Sequence, residues 1–429
     1  MSLSASPPSG KKRLQRVGFF APSTFDATKK ISFTYTDGAR YFVGLVMRHS
    51  ATSDDGLARL NASHLRSITG SRYSKQIITP LLADGTLNRK PFSRTERKSF
   101  GYRIGDRFAD DSIHWTPATC PRIRDRLTEH YRRCRDEREA TWAPIHHALR
   151  QMQQSLRIDL DAALTDIKDM PIESRLGQRL LVEQIDRRQM RYSVCAQGRA
   201  HNGITSLRRD LKRHLIDDNG ERLVGVDIVN SQPAMLATLL RTRNTHPPTH
   251  STPPPPFHGS LPYYSAHPYN PIGGETRRSR STERYIELAS TGRLYEDLVE
   301  GTGLTREECK SHFLKDVLAK KGRYQRAAKP DTRSVESYVR ETYPDVFAFI
   351  RRVNAEDHGA LIRLLQRVES SVVIHTVAAL LVERYPDVPI LTLHDAVYGP
   401  TSHEQAISDA FTESCQRLGI QLVTEPKPA

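Results

Sequence analysis

The sequence predicts an α+β protein built from more than one domain, on three observations. A chain of 429 residues exceeds what a single hydrophobic core organises, so two or three domains are expected. Two short segments far apart, residues 223–229 and 388–399, have the composition of buried strands. Around them run long stretches with apolar residues at helical spacing.

Charge narrows the partner. Lys and Arg number 64 against 49 Asp and Glu, a net charge of +15, which favours a polyanion, nucleic acid first, over a small neutral ligand. No run of about 18 apolar residues is apparent, and the first 16 residues are basic without an apolar core, so neither export nor a membrane partner is expected. The five cysteines, Cys120, Cys134, Cys195, Cys309 and Cys415, are scattered. They point to a reducing, cytoplasmic compartment, and away from a disulfide framework or a zinc cluster.

Taken in order, residues 1–40 read as a basic flexible tail rich in Ser, Pro and Lys. Within 41–112, Leu57, Leu60, Leu65 and Ile68 fall at helical spacing. Tyr73, Ile77, Ile78, Leu81 and Leu82 do so again after the Gly70-Ser71 break, and the segments around Thr86-Leu87 and Phe100–Ile104 form two strands. This stretch resembles a winged helix-turn-helix module. The resemblance places Arg72 and Lys75 at the start of the helix that enters a DNA groove; a small structural domain with a solvated basic face is the alternative. Residues 113–195 are charged and helix-prone, with amphipathic runs at 124–140 and 173–189, and read as a helical connector or thumb-like arm. Residues 196–429 form the last domain. It is interrupted at 244–283 by a Pro-rich stretch that supplies no packed core.

The chemistry sits in that last domain. Segment 223–229 is apolar on both sides of Asp227, as expected of a buried strand delivering a carboxylate at its end, with Asn230 or Ser231 capping the helix that follows and Pro233 in its first turn. Segment 388–399 holds His394-Asp395 between two β-prone runs, a hairpin with the second acid at its tip. Two acids on neighbouring strands suit a two-metal phosphoryl-transfer site, where ions roughly 3.5 to 4 Å apart are bridged by carboxylates. Mg²⁺ is expected because its partners would be hard oxygens, with Mn²⁺ as an alternative. Either acid alone is more often a cap or turn residue than a metal ligand.

Together with their surroundings the acids resemble family A DNA polymerases and the related single-subunit, phage-type RNA polymerases. The run from Asp227 to Leu236, with Ser231 and Gln232, is similar to motif A, and Leu393-His394-Asp395 is similar to motif C. Between them, residues 305–317 look like motif B: Thr305 and Glu308 form a capping box, and Arg306, Lys310, Phe313 and Val317 fall on one face. The resemblance implies a right-hand palm with an antiparallel sheet, helical fingers and a thumb. It implies two metal ions at Asp227 and Asp395 with the adjacent Ile228, and an incoming nucleotide at Arg306, Lys310, Phe313 and Gln232. Nucleic-acid contacts follow at Arg199, Arg209, Arg213, Gln366 and His394, with Glu369 as a further member of the Gln366 stripe.

Departures bear on specificity. Leu318 and Ala319 stand where the family carries Tyr-Gly, and Tyr324 replaces that Tyr only with a changed helix. Gln232 stands in place of the sugar-gating Glu, and Ala396 in place of the Glu after the motif C acid. The expected activity is therefore template-dependent nucleotidyl transfer to a 3′-hydroxyl on DNA, as primer-template or duplex, with both dNTPs and NTPs as candidate substrates and RNA as an alternative template. The compact length suits replication, priming or repair in a mobile genetic element. A primase or RNA polymerase, and a non-catalytic winged-helix initiator or regulator, are the alternatives.

Overall fold

A computed structural model describes residues 17–29, 31–53, 55–92, 99–242, 279–320 and 334–428. The expected tail at 1–16, the Pro-rich stretch at 243–278 and Tyr324 lie outside these described residues. The chain divides into two units, one of residues 1–140 with 160–184, the other of 141–159 with 185–429. Residues 113–195, read from sequence as one connector, are thus shared between them.

The first unit begins earlier than the sequence reading allows. Strand β1 (Gly18–Pro22) already carries core residues Phe19 and Ala21, and Ala27 and Ile31 are buried behind it. The tail reading fails here because these apolar residues are too widely spaced among polar ones to form a periodic signal. Helix α1 (Thr36–Ala51), unassigned from sequence, buries Tyr41, Phe42, Val43, Val46 and Met47. Its Asp37 is buried and satisfied: it accepts the backbone N–H groups of Thr119 at 2.7 Å and Cys120 at 2.6 Å.

Helix α2 (Ala62–Thr69) starts on the cap Asn61 and stops at Gly70, whose φ of 97° only glycine adopts readily. Leu57 and Leu60 therefore lie outside it. They flank Ala58, which exchanges backbone hydrogen bonds with Tyr102. After the turn comes a wide helical turn, Ser74–Ile78, running into α3 (Thr79–Ala83). A hairpin of β2 (Leu87–Lys90) and β3 (Gly101–Ile104) follows in the register Leu87↔Ile104. Strand β4 (Ile113–Pro117) returns to pair with β1, and α4 (Pro121–Glu139) begins on the Asp37 cap. Arg72 and Lys75 are exposed at the start of the second helical segment.

The second unit is built round a four-stranded antiparallel sheet. Helix α5 (Pro144–Met152) precedes it in the chain, β5 (Leu223–Ile228) is its central strand, and α6 (Ser231–Thr242) leaves the end of β5. The Pro-rich stretch ends sooner than expected, because Ser279 caps a helix over Arg280–Ser290. Next come α7 (Arg306–His312), α8 (Ala360–Val372), the hairpin β6 (Leu391–Leu393) and β7 (Ala396–Pro400), α9 (Glu404–Leu418) and β8 (Thr424–Pro428). The strand order is β6-β7-β5-β8.

One face of this sheet buries Val226, Ile228 and Val397 in a core shared with Ile407 and Phe411 of α9. The other face carries the polar residues, so strand alternation alone turns Asp227 away from the core. From α8 the helix continues through a wide turn, Val373–Ala378, to Arg384. Contrary to the sequence reading, Ala360–Arg384 is long and apolar enough to cross a bilayer by length and composition. Yet 67% of its apolar stretch is buried inside the protein.

Candidate active site at the sheet edge

Strand register brings the two acids together. Asp227 on β5 lies directly across from Ala396 on β7, and the residue before Ala396 is Asp395 in the β6–β7 turn. The Ile228 N–H donates to the Asp395 carbonyl at 3.3 Å, which ties the turn to the end of β5. His394 makes the tight connection with φ 55°, a left-handed conformation for which His is among the less disfavoured residues. Asn230, at the strand-to-helix corner, adopts φ 54°, and its amide donates to the Gly292 carbonyl at 2.5 Å.

The two carboxylates are held differently. Burial, then the charge of Asp227, pushes the Asp395 carboxyl up to about 6, against the lowering pull of Arg199 and Lys310. Asp227 meets an ammonium instead: Lys427 of β8 donates to its Oδ2 at 2.7 Å, while its Oδ1 is buried without a hydrogen-bond partner. Beside them Tyr398 lies across β5, and a Cβ at Gly225 would come within 2.5 Å of its ring. Ile228 turns its side chain into the core, so only its main chain reaches the cleft.

Behind the acids sits a buried polar network. Glu369 of α8, 1% exposed, pairs with Arg199 at 2.6 Å and accepts from Ser231 Oγ and Gln232 Nε2, each at 3.1 Å. Burial raises its pKa to about 7, with Asp395 pushing the same way and Arg199 opposing. Gln232 thus gives its amide N–H to Glu369 while it also lines the cleft, with its Oε1 buried and unpartnered. Gly198, φ 78°, turns the chain into Arg199, and its carbonyl accepts from His146 of α5 at 3.0 Å. Gln366 is one helical turn from Glu369, and no hydrogen bond or ion pair joins it to the described residues of this network. Of that helical stripe it is Glu369 that holds this network together.

The opposite wall is α7. The capping box of Thr305 and Glu308 is formed as expected, both halves of it. Arg306 donates to Asn230 Oδ1 and to Glu296, each at 3.1 Å, and Lys310 lines the same space. Phe313 corrects the sequence reading: it is fully buried, edge-on to Tyr295, and Leu314 lines the cleft instead. Spacing is not the cause, since the Phe313 N–H still bonds the Cys309 carbonyl and the wide helical turn Phe313–Leu318 begins only there; the end of the expected face is covered by the apolar core around Tyr295. Leu318, at one of the Tyr-Gly positions, is buried.

Asp227, Asn230, Arg306, Lys310, Leu314 and Asp395 line one open cleft, together with Glu425 and Lys427. Arg209 and Arg213 are exposed at the ends of the short helix Arg209–Lys212. They do not line this cleft. Lys212, between them, is half-buried, and its charge together with Arg199 and His201 adds to burial in lowering the His394 pKa.

The residues present suit a hard divalent cation. Asp227 Oδ1 is buried and accepts nothing, and Asp395 brings a second carboxylate to the same cleft. Among the described residues no cluster of three or more His, Cys, Asp or Glu forms a chelating set. An ion here would complete its octahedron with water and phosphate oxygens, as Mg²⁺ does.

No protein-family model matches the sequence, and no curated protein matches it. Among solved structures, the POL domain of Pol1 from M. smegmatis, in complex with DNA primer-template and dNTP, aligns at 12% identity. The match covers 71% of this chain and 72% of that one with a TM-score of 0.29. At that score the likeness carries no weight, and the functional reading rests on the cleft itself.

Proposed function

We propose that this protein is a polymerase-like nucleotidyltransferase. It joins a nucleoside triphosphate to a 3′-hydroxyl on a DNA primer-template, in the replication, priming or repair of a mobile genetic element. One observation carries the reading: Asp227 and Asp395 stand together on one side of a cleft whose other side presents Arg306 and Lys310. Acids facing cations across one open space fit a polyanionic substrate that enters with its own divalent ions.

Each residue then has a task. Asp227 and Asp395 would hold two Mg²⁺, with Mn²⁺ as an alternative, together with the main chain at Ile228. The bound ions would supply a lowered pKa at the attacking hydroxyl and charge neutralisation on the triphosphate. Lys310 and Arg306 meet the phosphate oxygens through charge-assisted hydrogen bonds. Arg199, positioned by Glu369 and by the Gly198 turn, faces the primer end beside His394. Arg209 and Arg213 are exposed for contacts to backbone phosphates. In the first unit, Arg72 and Lys75 belong to a winged-helix module that engages duplex.

The test is incorporation of labelled nucleotide on a primed template, with dNTPs and NTPs offered separately. Asp227→Ala and Asp395→Ala are each expected to lower incorporation by about 10³-fold or more and to leave duplex binding unchanged. Full activity in either variant overturns the assignment. The NTP arm, run with and without primer, separates a DNA polymerase from a primase or RNA polymerase. The ion pair of Lys427 with Asp227 favours one further reading, a non-catalytic DNA-binding replication initiator. A wild-type protein that binds duplex and incorporates neither nucleotide would decide for it.

A further inference from the structure

The Lys427–Asp227 ion pair is out of place in a site meant for divalent ions. Asp227 offers two oxygens to an incoming ion: Oδ1, buried and without a hydrogen-bond partner, and Oδ2, on which the Lys427 ammonium already sits at 2.7 Å with Glu425 Oε1 on its far side at 2.8 Å. The placement follows from the sheet. Strand β8 pairs antiparallel with β5, putting Glu425 opposite Asp227 and Lys427 opposite Gly225, so both side chains emerge on the acid face. Pro426 and Pro428 bracket the lysine in the positions across from Val226 and Val224. A proline fixes its own φ and offers no N–H, so it suits only an edge strand and keeps that strand extended. Lys427 is therefore aimed by a stiff segment and remains 34% exposed, free to turn outward on its four-carbon stem.

We propose that Lys427 is a built-in counter-cation: it occupies the Asp227 carboxylate when no divalent ion is bound, must be displaced for one to bind there, and so sets the metal concentration at which the site loads. The proposal rests on the reading of Asp227 and Asp395 as a metal-holding pair.

The experiment measures Mn²⁺ binding to the full chain by electron paramagnetic resonance at fixed ionic strength, without nucleotide. Wild type is compared with Lys427→Met, Lys427→Gln, Lys427→Arg and Asp227→Ala, each checked for native circular dichroism. The Met and Gln variants are expected to bind Mn²⁺ about tenfold tighter or more, since one competing unit charge at contact distance is removed. The Arg variant is expected to stay near wild type. Two neutral replacements of different polarity guard against one failing to fold. Wild-type or weaker affinity in both overturns the proposal. Asp227→Ala separates the two ideas: if it keeps the wild-type Mn²⁺ site, the metal reading falls and this proposal with it. If it loses that site while Met and Gln bind no tighter than wild type, the Lys427 proposal alone falls.

Discussion

The two walls of the cleft are built on opposite plans. The acid wall is sheet: Asp227 and Asp395 are placed by strand register, and the Asp395 carbonyl is itself tied to the Ile228 N–H. The cation wall is a helix whose working side chains are exposed, and Arg306 is steadied by Asn230 and Glu296. Behind the acid wall lies a buried, charged network centred on Glu369; behind the cation wall lies the apolar packing of Phe313 and Tyr295. The contrast teaches that the acids are set by strand pairing in front of a buried polar network, with burial raising Asp395 above the usual carboxylate range, whereas the cations project from a helix anchored by an apolar core.

Three changes would break or sharpen that contrast. The largest effect is expected behind the cation wall. Phe313→Ala should cost about 3–5 kcal/mol of folding stability, as for other buried aromatic truncations, while Leu314→Ala, one residue on and facing the cleft, should cost only a fraction of that. Equal losses in urea denaturation would mean that the boundary between core and cleft does not fall between them.

Next is Glu369→Gln. Burial raises the Glu369 pKa from 4.5 to about 7, so the folded state favours the protonated acid. Its penalty is absent below pH 4.5, grows as the pH rises towards 7 and then levels off. Relative to wild type, the Gln variant should gain up to about 3 kcal/mol between pH 5 and 8. A stability difference that stays flat with pH would remove Glu369 from the polar support of the acid wall.

The smallest effect is expected for Lys310→Ala, which removes one charge from an exposed position. The KM for nucleoside triphosphate should rise roughly 10- to 100-fold, the worth of one charge-assisted phosphate contact, with a lesser change in kcat. An unchanged KM would place the triphosphate elsewhere.

What could be read from the sequence follows the same division. Strand β5 and the β6–β7 hairpin were legible because an apolar run long enough to be a buried strand tolerates a charged residue only where that strand meets a polar site. The capping box of α7 was legible from two residues. Phe313 was misplaced because helical spacing puts it on the face of Arg306 and Lys310 but does not say where along that face the cleft ends and the core begins. Glu369 ranked below Gln366 because the resemblance pointed to a Gln, and a helical stripe does not say which of its members is buried. Lys427 was invisible: it meets Asp227 across 200 residues of sequence, from a segment whose two prolines argue against any strand except an edge. The start of the first unit was lost for a related reason, since β1 is short and its partner β4 lies about a hundred residues on.

Gly225 carries a consequence for how this sequence can change. Tyr398 lies so close over it that even a methyl group at position 225 would strike the ring, on the face that also carries Asp227. The two positions are thus ordered in time: residue 398 must shrink before residue 225 can grow, and the reverse path passes through an intermediate whose displaced ring crowds the acids. A lineage could leave the glycine behind only by giving up the tyrosine first.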